Sequence, residues 1–291
     1  MNVSILLPLF FLMLLMVLVP GSAQQQPQEL TSEQIAENVF VIKGGIANTG
    51  FIVGEKGVIV IDAGMTEESA QGMIKVIKET TDKPITGLIL THSDGDHVNG
   101  IGGFPKGLET YSSVGAKKEM EEEFKAPNLQ ALMDRLPTKT FSETMDINFG
   151  GERIKLLYFG PAHTSGDIVV LLPDKRVAFI GDLVFIGMDP LIHRQKGGTA
   201  IGLIKNLQAI LKLDAEKFVP GHSDVLSKND ISAALVKIQD TVDKVRALVA
   251  QNKSLEETKK AFGIADSPAG KGGFSFPSLA EVVYLELSEA R

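Results

Sequence analysis

Four residues with metal-binding side chains lie within six consecutive positions, directly after a predicted strand: His92, Asp94, Asp96 and His97. Imidazole and carboxylate groups are ligands of zinc, iron and manganese in proteins. His92 and Asp94 alternate along the chain, so both side chains can enter one pocket from extended backbone. Asp96 and His97 are adjacent and diverge, which suggests a second centre. A single Asp or His in such a loop is usually a turn residue, but four together indicate a metal site.

The other candidate ligands also follow predicted strands. His163 lies in a loop between two predicted strands, Asp182 ends the apolar run before it, and His222 comes directly after another short strand. Folds that combine helices with a β-sheet place their chemistry where strands end. We therefore expect these side chains to join the cluster around His92.

Strands and helices alternate in two coarse halves around these residues, which predicts an α/β layered fold. Apolar runs and turn signals predict strands over residues 39–42, 51–53, 58–61, 85–90, 147–149, 153–158, 168–172, 177–180 and 217–219. Helical spacing of apolar residues predicts helices over 66–80, 116–125, 200–213, 230–249 and 278–288, with another beginning near 254.

Two polar stretches have simpler interpretations. The acidic run of Glu119 and Glu121 to Glu123 is typical of a solvated helix face. Residues 127–137 carry several apolar side chains and form either a lid over the site or part of the packing, and packing is the preferred interpretation.

Composition limits the classes of function. The 291 residues are 44% hydrophobic and 22% charged, as in an ordinary globular protein with a sizeable core. The net charge of −7 does not suggest nucleic-acid binding. There are no cysteines, so disulfides and thiolate metal sites are excluded and any metal must be held by His and carboxylate groups.

Residues 1–23 resemble a cleavable signal peptide. The segment 5–19 is almost wholly apolar, and a helix break with small residues follows over 20–23. It is followed by a linker or N-terminal extension over 24–38 and a single domain over 39–291. We expect a periplasmic or secreted protein without stable membrane association after cleavage. An uncleaved N-terminal anchor is the alternative, because no Lys or Arg precedes the apolar segment.

The chain resembles the metallo-β-lactamase-fold superfamily. The resemblance extends from about residue 39 to the C-terminal helices and rests on five blocks in the family's order: 59–62, 92–97, 161–166, 181–182 and 220–222. It implies a four-layer αββα sandwich, of class α/β (α+β), with the site at one edge of two facing sheets.

The resemblance also implies a ligand set for two divalent metal ions, with zinc expected first. One ion would be held by His92, Asp94 and His163, the other by Asp96, His97 and His222, and Asp182 would bridge both. Asp62 would orient a metal-bound imidazole, although a solvated turn residue is an equal alternative. His193 would touch substrate at the mouth of the site or, as the preferred alternative, be an exposed loop residue.

The chain departs from the family at Asp94, where a histidine is usual. Asp94 can ligate and make a harder, more anionic first centre that favours manganese or iron. It can instead ligate poorly and leave a single ion, or mark a degraded and inactive site. The first alternative is preferred because every other ligand is present.

Two bound cations would share a water molecule and supply hydroxide at neutral pH. The expected function is a metal-dependent hydrolase in which this metal-bound hydroxide attacks a small ester, lactone, thioester or β-lactam-like amide. Asp182 and Asp96 would take part by holding the bridge and the second ion. The alternatives are an iron enzyme like the persulfide-oxidising relatives, with a single metal, and a catalytically silent binding protein. The expected partner is a small-molecule substrate.

Overall fold

Two β-sheets form the centre of the molecule in the computed structural model, which describes residues 29–264 and 276–289. The first sheet has seven strands in the order β1 to β7: Thr31–Ala36, Val39–Lys43, Thr49–Val53, Val58–Ile61, Ile85–Ile89, Glu109–Ser113 and Lys139–Phe141. The second has five strands in the order β12-β11-β10-β9-β8. In chain order these strands, β8 to β12, are Thr144–Phe149, Glu152–Tyr158, Ile168–Leu172, Val177–Gly181 and Lys217–Pro220.

Seven α-helices connect and cover these strands in the described part of the chain. In chain order, α1 to α7 are Glu67–Thr80, Gly95–Val98, Val114–Glu123, Ala200–Ile210, Lys228–Ala250, Leu255–Ala261 and Leu279–Glu289. Short 3₁₀ helices occur at Asn99–Gly103, Gln130–Arg135 and Arg194–Lys196. Helices α1, α5 and α6 each begin with a reciprocal capping box, and the predicted start of a helix near residue 254 is confirmed.

Strand direction brings the candidate ligands to one edge. Strands β4 and β5 are parallel in the first sheet, and β11 and β12 are parallel in the second. The carboxyl ends of parallel neighbours meet at the same edge. Asp62 follows β4, the motif at His92 follows β5, Asp182 follows β11 and His222 follows β12.

The core lies in three layers between the helices and the sheets. Along β4, Val58 and Val60 pack towards α1 while Ile59 and Ile61 pack towards the second sheet. A third cluster fills the space between the second sheet and helices α4, α5 and α7. The sheets approach so closely that a β-carbon at Gly50 would lie 2.3 Å from the Phe179 ring. These layers confirm the predicted αββα sandwich.

Three strands differ from the sequence-based expectation. Strand β1 lies inside the segment 24–38, which was expected to be a linker or N-terminal extension, and it pairs with β2, so the sheet begins before residue 39. Four of its six residues are exposed, which leaves no apolar alternation to detect. Strand β6 is missed because its buried residues include Thr110, Ser112 and Ser113, and β7 has only three residues.

The predicted signal peptide, residues 1–23, and the polar residues 24–28 lie outside the described residues. Among the residues that are described, no helix combines the length and the apolar character needed to cross a membrane.

Candidate metal centre

The side chains predicted as ligands converge in two groups at the edge of the sheets. One group contains His92, Asp94, His163 and Asp182, and the other contains Asp96, His97 and His222. Within each group, one nitrogen or carboxylate oxygen per residue lies within 4.8 Å of the others. The structure therefore brings together all seven predicted ligand residues.

Asp182 lies between the two groups. Its Oδ2 atom is 3.9 Å from the Nε2 atom of His92 and 3.8 Å from that of His163. The same carboxylate is 3.3 Å from the Nε2 atoms of His97 and His222. This position matches the bridging position that the family resemblance implies, because one carboxylate reaches both sets of imidazoles.

Each group also has a carboxylate of its own. Asp94 Oδ2 lies 3.0 Å from the Nε2 atom of His163 and 3.9 Å from that of His92. Asp96 Oδ2 lies 3.2 Å from the Nε2 atom of His222 and 3.8 Å from that of His97. Because Asp94 replaces the usual histidine, both groups offer the same chemistry: two imidazoles, one carboxylate and the shared Asp182.

The other ring nitrogen of each candidate histidine ligand has a partner. The Nδ1 atoms of His163 and His222 face the carbonyl oxygens of Leu191 and Ile46, at 2.8 and 3.0 Å. A carbonyl oxygen only accepts, so both Nδ1 atoms carry a hydrogen. In the neutral rings, the Nε2 lone pairs therefore point into the centre, as metal coordination requires.

Asp62 sets the same tautomer for the other two histidines. Its Oδ2 atom lies 2.9 Å from His97 Nδ1 and accepts a hydrogen bond from the Thr91 hydroxyl at 2.8 Å. Because that hydroxyl donates to Asp62, its oxygen is free to accept from His92 Nδ1, 3.0 Å away. Asp62 is buried, so it is not the solvated turn residue considered as its alternative.

The buried polar atoms of the centre fit a cation. Three of the five buried side-chain nitrogen or oxygen atoms without a hydrogen-bond partner, among the described residues, are His92 Nε2, His97 Nε2 and Asp182 Oδ1. Leaving such atoms unpaired in the interior is unfavourable. A divalent metal ion would satisfy these lone pairs, so this donor set fits metal binding.

Carboxylates and burial shift the pKa values of the histidines in opposite directions. Burial lowers the pKa of His92 to about 3. Burial also opposes the charged form of His163, but its hydrogen bond to Asp94 and the nearby Asp182 raise its pKa to about 9. Hydrogen bonds to Asp182 and Asp96 raise the pKa of His222 to about 10. In the metal-free protein these two rings are therefore protonated at neutral pH.

We expect metal affinity to rise with pH because a metal ion must displace these protons. Each proton displaced gives about a tenfold gain in affinity per pH unit below the pKa of the group. The stability of the metal-free protein depends on pH in the opposite direction. Since the pKa of His163 is raised from 6.5 to about 9, the stabilisation it contributes is complete below pH 6.5 and is lost as the pH rises through 9. Chelator competition at several pH values measures the affinity, and calorimetry in two buffers counts the protons released. An affinity that stays constant with pH would contradict this assignment.

His193 belongs to the wall of the centre. Its Nε2 atom lies 2.9 Å from Asp94 Oδ2, and its side chain is only 16% exposed. The ring packs edge to face against that of His163, with centroids 4.8 Å apart. The preferred prediction of an exposed loop residue is therefore wrong, because the loop after Asp182 folds back over His163.

The acidic run on α3 is only partly the solvated face that its composition predicted. Glu119 accepts hydrogen bonds from Ser93 Oγ at 2.6 Å and from Ser165 N at 3.0 Å. Glu123 contacts Lys196, whose amine also contacts Asp94. These two glutamates are one helical turn apart, so one face of α3 borders the centre while Glu122 remains exposed.

Sequence reasoning missed Thr91, Glu119, Glu123 and Lys196 as parts of the surroundings. Thr91 alone had a signal, its position beside His92. The segment 127–137 contains the 3₁₀ helix Gln130–Arg135, and its Leu132 is buried in the cluster beneath α1 and α3. That contact agrees with the preferred interpretation of packing.

Comparison with known proteins places this geometry in a family. The model of the metallo-beta-lactamase superfamily matches residues 42–222, which include every candidate ligand. The 2,4-dinitroanisole O-demethylase subunit alpha of a Nocardioides species is 27% identical over 274 residues, covering 92% of this chain and 80% of the relative. Metallo-beta-lactamase IND-1 of Chryseobacterium indologenes is 24% identical over 234 residues, covering 74% of this chain and 90% of the relative.

A solved structure shares the fold. The metallo-beta-lactamase from Pontibacter korlensis superposes with a TM-score of 0.61 at 20% identity, covering 72% of this chain and 99% of that chain. The match to the family model covers more than half of the sequence, and the two facing sheets with their edge cluster agree with it. The chain belongs to the metallo-β-lactamase superfamily.

Proposed function

We propose that the protein is a metal-dependent hydrolase that acts on a small ester, lactone, thioester or β-lactam-like amide. The observation that carries this proposal is the pair of ligand groups sharing Asp182, with four imidazole Nε2 atoms directed into one space. Divalent ions held there would lower the pKa of water and polarise the bond to be cleaved.

The protein's own residues would hold and orient these ions. Asp182 reaches both groups, and Asp62 and Thr91 keep the imidazoles of His92 and His97 in the metal-binding tautomer. The ligand set of two histidines and one carboxylate suits zinc and is also the set used by non-haem iron(II). Zinc is the first metal to test, followed by manganese and iron.

The relatives support a small-molecule substrate without naming it. One is called a metallo-beta-lactamase and another a dinitroanisole O-demethylase, so the same fold serves different reactions. Non-hydrolytic chemistry at a single iron ion therefore remains the second candidate. It is favoured by one observation, the two-histidine, one-carboxylate set of His92, His163 and Asp94.

Metal content followed by a hydrolysis screen tests the proposal. The purified protein is measured by elemental mass spectrometry, stripped with a chelator and reloaded with zinc, manganese or iron(II). We expect bound divalent metal and hydrolysis that is lost on stripping and restored on reloading. Iron content with oxygen consumption, but no hydrolysis, would favour the redox alternative. If the protein binds no metal after reloading, the result would favour the other alternative, a catalytically silent binding protein.

Exposed apolar side chains lie on the loops that carry or contact the candidate ligands. Five of the eight large hydrophobic residues that are exposed in the described part of the chain lie on loops at this edge, with 38% to 65% of their surface exposed: Ile46, Met65, Ile186, Met188 and Phe276. Ile46 accepts the hydrogen bond from His222, and the Phe276 ring packs 4.8 Å from that of His193. An apolar cavity of about 100 Å³ lies between the loops of Ile46 and Met65. The surroundings favour a substrate with an alkyl or aryl group.

A Phe276→Ala variant is expected to raise KM about tenfold for substrates with a large apolar group, because it removes about 1.4 kcal/mol of apolar contact. The KM for an acetyl-sized substrate should change little. Steady-state kinetics over a series of esters with increasing acyl length measures both values. Val236→Ala is the matched control, because Val236 is also exposed but lies on α5. Equal effects on short and long substrates would contradict an apolar contact at Phe276.

A further inference from the structure

Lys196 holds the one ligand in which this chain departs from its family. Its Nζ atom lies 2.8 Å from Oδ1 of Asp94, and its side chain is only 16% exposed. The other carboxylate oxygen, Oδ2, faces His163 and His193 at 3.0 and 2.9 Å. Lys196 therefore occupies one oxygen of Asp94 and leaves the other directed at the predicted ligands.

A carboxylate lies on the far side of the same lysine. Glu123 Oε1 is 2.5 Å from Lys196 Nζ, and the Ser93 hydroxyl is 3.2 Å from it. The side chain of Glu123 is 32% exposed, so water screens its charge more than that of Asp94. The ammonium group of Lys196 thus lies between the carboxylate of Asp94, which faces the centre, and that of Glu123, which is partly exposed to solvent.

The backbone fixes Lys196 relative to the centre. The 3₁₀ helix Arg194–Lys196 ends at Gly197, whose φ of 75° is left-handed. His193 N donates to the carbonyl oxygen of His163 at 2.8 Å, so the turn is attached to the segment that supplies a ligand. A β-carbon at Gly198 would lie 2.2 Å from the same carbonyl oxygen, so only glycine permits this approach. Lys196 therefore has a defined place beside Asp94.

We propose that Lys196 is a positioning residue that makes Asp94 act as a one-oxygen ligand without excess charge. This proposal rests on the metal centre of the proposed function. A histidine ligand is neutral, whereas Asp94 adds one negative charge to a centre that already contains Asp96 and Asp182. The ammonium group of Lys196 offsets that charge, and its hold on Oδ1 prevents Asp94 from binding through both oxygens.

This arrangement gives opposite effects for two substitutions. Lys196→Met keeps an unbranched side chain only one atom shorter and removes its charge, so the centre becomes more anionic. We expect the affinity for Zn²⁺ and Mn²⁺ to increase about tenfold or more, because the ammonium group of Lys196 no longer repels the bound cation. Glu123→Gln removes a negative charge and leaves Lys196 to act on Asp94 alone, so the affinity should fall by a smaller factor. Lys196→Arg should retain the wild-type affinity.

The test compares full-length wild-type protein with these three variants and Lys106→Met. Lys106 also pairs with an aspartate, at 3.2 Å, but both side chains are largely exposed and neither residue belongs to the two ligand groups. Each protein is stripped with a chelator, titrated with Zn²⁺ and Mn²⁺ against an indicator chelator, and melted with and without metal. The Co²⁺ form gives an absorption spectrum that reports coordination number.

Tighter binding by Lys196→Met, weaker binding by Glu123→Gln and no change in Lys106→Met would support the proposal. The metal-induced rise in Tm should also be larger in Lys196→Met, and its weaker Co²⁺ absorption should report a higher coordination number. If Lys196 were needed only for packing, Lys196→Met would lower Tm equally with and without metal and leave the metal affinity unchanged. That result would overturn the proposal. A change of metal affinity in the same direction in Lys196→Met and Glu123→Gln would also overturn it. If Lys196→Met does not fold, the Glu123→Gln and Lys196→Arg results still decide. A wild-type protein that binds no metal would instead refute the proposed function.

Discussion

An Asp182→Asn variant is expected to lose hydrolytic activity by about a thousandfold or more, since metal ions contribute several kcal/mol to such reactions. Among the described residues, Asp182 is the one carboxylate within 3.9 Å of the Nε2 atoms of all four predicted histidine ligands. The amide has the same shape but lacks the negative charge, and its NH₂ group cannot ligate. One neutral amide oxygen cannot serve both ligand groups as the carboxylate does, so metal content per chain should fall together with kcat.

Asp224→Asn provides the matched control for this prediction. Asp224 lies two residues after His222, but its side chain is 91% exposed and pairs with Lys43. Losing that exposed ion pair should change stability by less than about 1 kcal/mol and leave metal content unchanged. Elemental analysis and kcat for both variants, measured against the same substrate, decide the matter. An Asp182→Asn protein with full metal content and wild-type kcat would exclude Asp182 from the centre.

The ligands were predictable from sequence because each lies next to an element with a strong local signal. Strand β5 has an apolar run, and the residues that follow it are His92 to His97. Asp182 likewise follows the apolar strand β11, and His222 follows the short strand β12, in which Phe218 and Val219 are buried. Since parallel strands present their ends at one edge, local predictions were sufficient to place distant residues together.

The surroundings of Asp94 were not predictable in this way. Lys196 is 102 positions away in the chain, and its segment is a short turn without apolar periodicity. Glu123 belongs to a run whose composition is typical of solvent exposure, and only the packing of α3 on the loop after His163 turns one face inward. Such contacts depend on tertiary structure, for which a single sequence carries no local signal.

Asp62 connects the two halves of the centre from a turn with left-handed backbone. Its φ of 64° is left-handed, a conformation that few residues other than Gly, Asn and Asp adopt readily. In this position its carboxylate accepts from the backbone N–H of Thr91 at 2.8 Å and from the Thr91 hydroxyl, and it also contacts His97. His92 is reached through Thr91, so a single carboxylate orients one imidazole of each ligand group.

An Asp62→Asn variant is therefore expected to weaken metal binding about 10- to 100-fold and to lower kcat/KM to a similar extent, as is typical when the partner of a metal-bound histidine is removed. Asparagine tolerates the left-handed backbone, so the loss reports the carboxylate rather than the turn. The amide offers only one oxygen to three donors, and its NH₂ group faces a donor. His97 and His92 then lose the acceptors that keep their Nε2 lone pairs directed inward.

Asp230→Asn is the control, because Asp230 also accepts from a backbone N–H and a hydroxyl, both of Ser227, at the exposed start of α5. It should lower stability by about 1 kcal/mol without changing metal affinity. Chelator competition and thermal melting, with and without metal, separate the two effects. Equal losses of stability in both variants, with unchanged metal affinity in Asp62→Asn, would show that Asp62 serves only the turn. A loss of affinity confined to Asp62→Asn would establish that this carboxylate orients the imidazoles for both ligand groups.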